Sequence, residues 1–232
     1  MEPLEFTRLV QNRLGVVADG KPGAKTIAAL DKAIPPECPK TEKMTAAIVD
    51  HRWVKAIRED LPGGTTMPVI RFLVLHNTAG ATALSSINYW RTPEAKGACA
   101  HIVIDRDGTI YQCRPFNVTC GHAGVSEWKG TTGLNSCSIG IELANAGDDV
   151  PLAKRWSKLP LITAKHKHGG QLREWEDYPA VQVDACMAVS RLLVARYGLE
   201  DVIGHDDISP GRKSDPGPAL DMAGLRRACG FA

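Results

Sequence analysis

Phe72-Leu73-Val74-Leu75-His76-Asn77-Thr78-Ala79-Gly80 sets four large apolar residues directly before a histidine and a turn. A short apolar run that ends on turn residues reads as a buried strand, so an extended segment is expected over 69–76. Working outward, 101–104, 109–112 and 138–143 repeat the texture, and Asp107-Gly108 marks a two-residue hairpin turn between the first two of these. Helical patterns lie between them: one over 83–89, and a long one after Pro179. There Val181, Ala185, Ala188, Val189 and Leu192 form an apolar stripe that Gly198 ends. Strands alternating with helices predict an α/β domain whose sheet faces are covered. The polar stretch 148–177, rich in Lys and carrying Trp156 and Trp175, is expected to be a long surface excursion bordering a groove.

Upstream, Phe6, Leu9, Val10 and Leu14 recur at helical spacing before Gly15, and Ile27, Leu30 and Ile34 repeat the pattern. Two short packed helices are predicted over 1–35, too small a unit for much of a core. Pro35-Pro36 and Pro39 end them and begin a linker. The organisation expected is a helical module at 1–35, a linker and lead-in helix at 36–68, and the main domain at 69–232.

Composition narrows the function classes. The 232 residues are 44% hydrophobic and 23% charged, proportions of a soluble globular protein. A net charge of +2 without blocks of like charge predicts neither a nucleic-acid arm nor a membrane-surface helix. Seven cysteines, an odd set without Cys-x-x-Cys pairs, argue against a disulfide framework and against a Cys-rich zinc site. Met1-Glu2-Pro3-Leu4-Glu5 lacks the basic and apolar regions of a signal peptide, so synthesis and retention in the cytoplasm is the expectation. No apolar run reaches the roughly 18 residues that span a bilayer, so no membrane anchor is expected. The minimal motifs of zincin proteases, serine hydrolases and P-loop nucleotide hydrolases are missing.

Three side chains suggest metal chemistry. His76 closes one apolar run, His205 follows Val202-Ile203-Gly204, and Asp215 lies in the Pro- and Gly-rich segment 211–218. Two imidazoles and a carboxylate make a tetrahedral set with one open position, the arrangement of a hydrolytic zinc. By spacing alone, a histidine at a strand end is more often an ordinary satisfied residue.

Five blocks change that weighting. His76-Asn77-Thr78-Ala79-Gly80, the segment 100–110, Gly121-His122-Ala123-Gly124-Val125-Ser126, Ser138-Ile139-Gly140-Ile141-Glu142-Leu143 and the segment 204–218 occur in order. Together they resemble the type 2 N-acetylmuramoyl-L-alanine amidases over roughly 69–227. That family spans AmpD-like cytosolic recycling amidases, phage endolysins and peptidoglycan recognition proteins. The resemblance implies a central mixed β-sheet flanked by helices and one Zn2+ on His76, His205 and Asp215. It also implies Glu142 as the proton carrier and Lys213 as the oxyanion stabiliser. His122, Asn77 and Thr78 are implied on the substrate side, although packing is nearly as good an account of His122. His101 has no assignment. His166 and His168 read as a solvated loop before a metal pair, and Trp156 and Trp175 fit sugar stacking or loop anchoring equally well.

Val10-Gln11, Leu14-Gly15, Asp19-Gly20, Gly23 and Thr26 are similar to the core of the type 1 peptidoglycan-binding domain. Pro22 stands where that family carries an aromatic residue, and the usual following helix is missing; a hairpin that packs on the main domain is the alternative. The expected partner is peptidoglycan, with no nucleic acid and a monomeric chain. A phage endolysin, released to the periplasmic cell wall by another protein, reconciles a wall substrate with the N-terminus. The alternatives are a cytosolic recycling amidase and a non-catalytic recognition protein, the second disfavoured by the retained ligand set and Glu142.

Overall fold

The computed structural model describes residues 47–232, so the 1–35 helical module lies outside the described residues. The described chain begins with a tight hairpin, β1 (Ile48–Val49) against β2 (Arg52–Trp53), followed by β3 (Ile57–Arg58). A lead-in helix was expected within 36–68, and the described part of that stretch contains none. Glu59 and Leu61 instead donate their N–H groups to Gln112 O and Cys113 O, at 3.0 and 2.9 Å. Leu61 and Met67 are buried, so the main domain begins upstream of residue 69. Backbone pairing along a sheet edge is what outweighs local helix formation here, and it also covers that edge.

β4 (Phe72–Asn77) is followed by α1 (Ala83–Trp90), β5 (Ile102–Ile104), β6 (Ile110–Gln112) and a small hairpin, β7 (Glu127–Trp128) with β8 (Thr131–Thr132). Next come β9 (Ser138–Leu143), α2 (Val150–Trp156), the hairpin β10 (Leu161–Lys165) with β11 (Leu172–Glu176), and α3 (Ala180–Tyr197). β12 (Asp201–Gly204), α4 (His205–Ile208) and α5 (Met222–Ala228) complete the order. The main sheet runs β12-β4-β9-β5-β6-β3 and is mixed, with β12, β4, β9 and β5 parallel and β6 antiparallel to β5.

β4 is apolar at every position because both its faces are covered. Leu73 and Leu75 join Ile102, Ile104, Ile139, Ile141 and Leu143 in the core beneath α3. Phe72 and Val74 face the other way, onto Ala123, Leu134, Ile203 and Ile208. Side chains alternate along a strand, so His76 shares the face of Phe72 and Val74, and Glu142 shares the face of Ser138 and Gly140.

Two local expectations shift. Asp105 N–H bonds Thr109 O at 2.9 Å and Ile104 pairs with Ile110, so the β5–β6 turn has three residues, ending on Gly108 at φ 83°. A three-residue loop with its last position left-handed is the next commonest hairpin solution, and glycine carries it. In α3 the buried face carries Gln182, Cys186, Val189 and Leu193, while Val181 is exposed. Gln182 is admitted to the core because its amide nitrogen, Nε2, donates to Ile104 O and Ala144 O at 3.0 and 3.1 Å. The 148–177 excursion is ordered into α2 and the β10–β11 hairpin.

Candidate metal and active site

The carboxyl ends of three adjacent parallel strands converge on one point. His76 is the penultimate residue of β4, Glu142 sits opposite it in register on β9, and His205 opens α4 directly after β12. Such strand ends are where open α/β sheets bind ligands. Asp215 arrives from the loop after α4, and its backbone is anchored there by Asp206 N–H donating to Asp215 O at 2.8 Å.

His76 Nδ1 lies 2.8 Å from His205 Nδ1, and the two lie 3.1 and 2.9 Å from Asp215 Oδ2. The partners of the opposite ring nitrogens set the tautomers. His205 Nε2 is 3.1 Å from Ala123 O, which only accepts, so the proton belongs on Nε2 and Nδ1 is bare. Ser138 Oγ donates to Leu134 O at 2.6 Å, which leaves Ser138 O and Oγ as acceptors for His122 Nε2, at 3.4 and 3.3 Å. His122 Nδ1 is then an acceptor for His76 Nε2 at 3.0 Å, and His76 Nδ1 is bare as well. Two imidazole lone pairs and a carboxylate oxygen in mutual contact repel unless a cation lies among them, so this donor set fits a zinc-type ion.

Ionisation agrees with that fit. Burial brings His76 down to about 4, although Asp215 beside it works the other way. Burial alone would raise Asp215, but the two imidazoles outweigh it and hold the carboxyl well below its ordinary range. Near neutral pH both groups are therefore in ligand form. Among the described residues, His76, His205 and Asp215 are the group of His, Cys, Asp and Glu with metal-binding geometry.

A cavity of about 460 Å³ opens over this cluster, lined among others by Glu142, Lys213, Asn77 and Thr78. Glu142 Oε2 is shut off from solvent without a hydrogen-bond partner. Burial, and then Asp215, pushes the Glu142 carboxyl well above its ordinary value, with Lys213 opposing. Thr78 Oγ1 accepts from Gly80 N–H and Asn145 N–H, which leaves its own hydroxyl proton to be donated.

The remaining sequence candidates separate cleanly. The His122 ring is buried and edges the cavity, but its contacts run to His76 and Ser138, so it orients a metal-type donor more than it offers a surface. His101 is fixed between Gly140 N–H, which donates to its Nδ1 at 3.0 Å, and Val118 O, 2.8 Å from its Nε2. His166 Nε2 lies 2.9 Å from Asp206 Oδ2, and Lys167 bonds Asp206 and Asp207, so that segment braces α4. Trp175 is buried and its indole donates to Ala164 O at 3.2 Å, which makes it an anchor of the excursion. The excursion does border a groove, a second cavity of about 360 Å³ between His168, Arg173 and the Gly211 to Ser214 loop.

Two contributors carry no sequence signal of their own. Arg212 Nη2 donates to Ala123 O and Val125 O at 2.8 Å, clamping the loop that also receives His205 Nε2. Gly140 leaves the space that the His122 ring fills: a Cβ there would come within 2.5 Å of His122 Cγ. Glycine in a strand can mark such a close approach, but only the fold identifies what approaches.

Residues 65–218 match the family model described as N-acetylmuramoyl-L-alanine amidase. The chain is 31% identical to the N-acetylmuramoyl-L-alanine amidase AmiD of Escherichia coli K12, over 65% of this chain and 50% of that protein. It is 38% identical to the 1,6-anhydro-N-acetylmuramyl-L-alanine amidase AmpD of the same organism, over 55% and 56%. The chain thus spans about half the length of the curated relatives it matches. The crystal structure of a selenomethionine AmpD derivative superposes with a TM-score of 0.56 at 27% identity, covering 78% of this chain and 98% of that one. A complex of E. coli AmiD with the substrate anhydro-N-acetylmuramic acid-L-Ala-D-γ-Glu-L-Lys superposes at 0.55 and 28% identity, covering 74% and 62%.

Proposed function

The chain belongs to the N-acetylmuramoyl-L-alanine amidase family, and from that premise we propose that it hydrolyses the amide joining N-acetylmuramic acid to the L-alanine of a peptidoglycan stem peptide. The observation that supports this most is the convergence of two bare Nδ1 atoms and Asp215 Oδ2 in a site whose wall carries Glu142, with its Oε2 unpartnered. His76, His205 and Asp215 would hold one zinc ion. When bound, the ion supplies Lewis-acid polarisation of the scissile carbonyl and a lowered pKa for water.

The chain's own residues would do the rest. Glu142, with its affinity for protons raised by burial, takes the proton of the attacking water and hands it to the departing L-alanine amine. The Lys213 ammonium, on the wall of the same cavity, stabilises the oxyanion that develops on the carbonyl. His122 and Ala123 O hold the two imidazoles in tautomer and orientation. Asn77 and Thr78 border the cavity where the muramyl-peptide would lie.

Two substrate forms divide the readings. The similarity of 1–35 to a peptidoglycan-binding domain favours intact wall, and with it a phage endolysin that reaches the wall through another protein's membrane lesion. The AmpD relatives, described as acting on 1,6-anhydro-N-acetylmuramyl-L-alanine, favour soluble recycled fragments. No helix among the described residues is long and apolar enough to cross a membrane. Digestion of purified sacculi and of a soluble anhydromuropeptide, read by mass spectrometry, tests both. Free stem peptides beginning with L-Ala are expected, lost on chelation and regained with zinc; hydrolysis that persists after full removal of divalent metal would overturn the proposal.

A further inference from the structure

Cys99 Sγ lies 3.0 Å from Cys120 Sγ, and both residues are buried in the small cluster of Leu61, Ala83, Ile87 and Val103. The two segments run side by side: Ala98 and Gly121 form a parallel bridge, Cys99 N–H donates to Gly121 O at 3.4 Å, and Gly121 N–H donates to Cys99 Sγ at 3.2 Å. Their approach depends on a missing side chain, since a Cβ on Gly121 would come within 2.5 Å of Gly97 O. Cys99 is also among the residues that line the cavity holding Glu142, so a small solute in that cavity comes up against this residue.

We propose that Cys99 and Cys120 form a hydroperoxide-sensitive dithiol that closes into a disulfide on the wall of the cavity. The two sulfurs are unequal. The hydrogen bond between the two sulfurs brings the Cys99 thiol down to about 7 against the opposing effect of burial, with Gly121 N–H and Arg114 helping. Cys120 is pushed well up by burial, by that hydrogen bond and by the Cys99 thiolate itself. Cys99 is therefore the attacking thiolate and Cys120 the resolving thiol.

In the first step the Cys99 thiolate attacks one peroxide oxygen: an S–O bond forms, the O–O bond breaks, and the departing hydroxide leaves as water with a proton from solvent. Neutral sulfenic acid no longer opposes ionisation of Cys120. Cys120 sulfur then attacks Cys99 Sγ, the S–O bond breaks, and the hydroxyl leaves as water with the Cys120 proton. In sum two thiols and one hydrogen peroxide give one disulfide and two waters. The sulfurs need close by only about 1 Å to reach the ~2.05 Å of a disulfide. Cys113 shares the cluster, but burial pushes it up to about 12, so it remains a protonated spectator.

The test is peroxide treatment of the full-length, metal-loaded protein, then alkylation under denaturing conditions and peptide mass mapping. Two of the chain's seven thiols should disappear. They should reappear as a peptide joining residues 99 and 120, two hydrogens lighter and restored by dithiothreitol, with Cys113 and Cys186 still alkylated. The oxidised protein should melt higher, by on the order of 5–10 °C, because the bond constrains the unfolded chain. Cys99→Ser should leave Cys120 reduced after the same treatment. Retention of all seven thiols, loss of thiols at other positions, or a sulfinic acid at Cys99 with Cys120 still free would each overturn the proposal. The wild-type map decides it even if the variant does not fold.

Discussion

Three side chains near His76 act in separable ways. Glu142→Gln keeps the shape of the carboxyl but cannot carry a proton, so kcat should fall by a factor on the order of 10²–10⁴ with KM and zinc content near wild type. Activity within a few-fold of wild type would remove Glu142 from the chemistry. His122→Ala should weaken zinc affinity about 10- to 100-fold, measured by competition with a chromophoric chelator, because His76 then loses the acceptor that fixes its tautomer. Gly140→Ala should move affinity in the same direction by displacing the His122 ring, and unchanged affinity in both variants would make His122 a packing residue. His101 is a stability group. Burial lowers it to about 4, and its neutral form accepts from Gly140 N–H. Above its unfolded value near 6.5 it is neutral in both states. As pH falls from there to about 4, only the unfolded chain gains the proton, so stability is lost across that window, by on the order of 3 kcal/mol. Urea unfolding between pH 8 and 4 should show this slope and His101→Gln should flatten it; parallel profiles would count against it.

At the scale of elements, the apolar run of β4 was legible because a strand covered on both faces needs no polar alternation. The same rule placed β9 and located His76, Glu142 and His205 at strand ends. The α3 stripe held at Val189 and Leu192 but failed at its first position, where Val181 is exposed and Gln182 takes the core place; Ile104 O and Ala144 O accept from its amide. The excursion was read as surface, yet its hairpin sends Trp175 inward onto Gly217, where any Cβ would come within 2.7 Å of the indole. Gly217 follows Asp215 by two residues in sequence, so the hairpin supports the carboxylate loop. Trp175→Ala should cost about 3–5 kcal/mol in denaturant unfolding and loosen zinc binding. Loss of less than 1 kcal/mol would mean that the indole is not a structural anchor.

For the whole molecule, the segment 1–35 and the domain that begins before residue 69 are expected to do different jobs. Removing 1–35 should weaken binding to intact sacculi and leave cleavage of a short soluble muropeptide unchanged, because a wall-binding unit raises local concentration without touching the reacting bond. Equal loss on both substrates would instead tie 1–35 to the catalytic domain. The sequence by itself determined the α/β architecture, the strands β4, β5, β6 and β9 and the identities of the converging residues, since apolar runs, turn residues and five ordered blocks are local signals. Only the tertiary structure decided which strands are neighbours, that β3 closes the sheet edge, which nitrogen of each histidine is bare, and that His122, Gly140 and Arg212 position the site. Those outcomes depend on contacts between residues far apart in the chain, where a donor, an acceptor or an empty Cβ position is supplied by a distant segment and leaves no periodicity in the sequence to read.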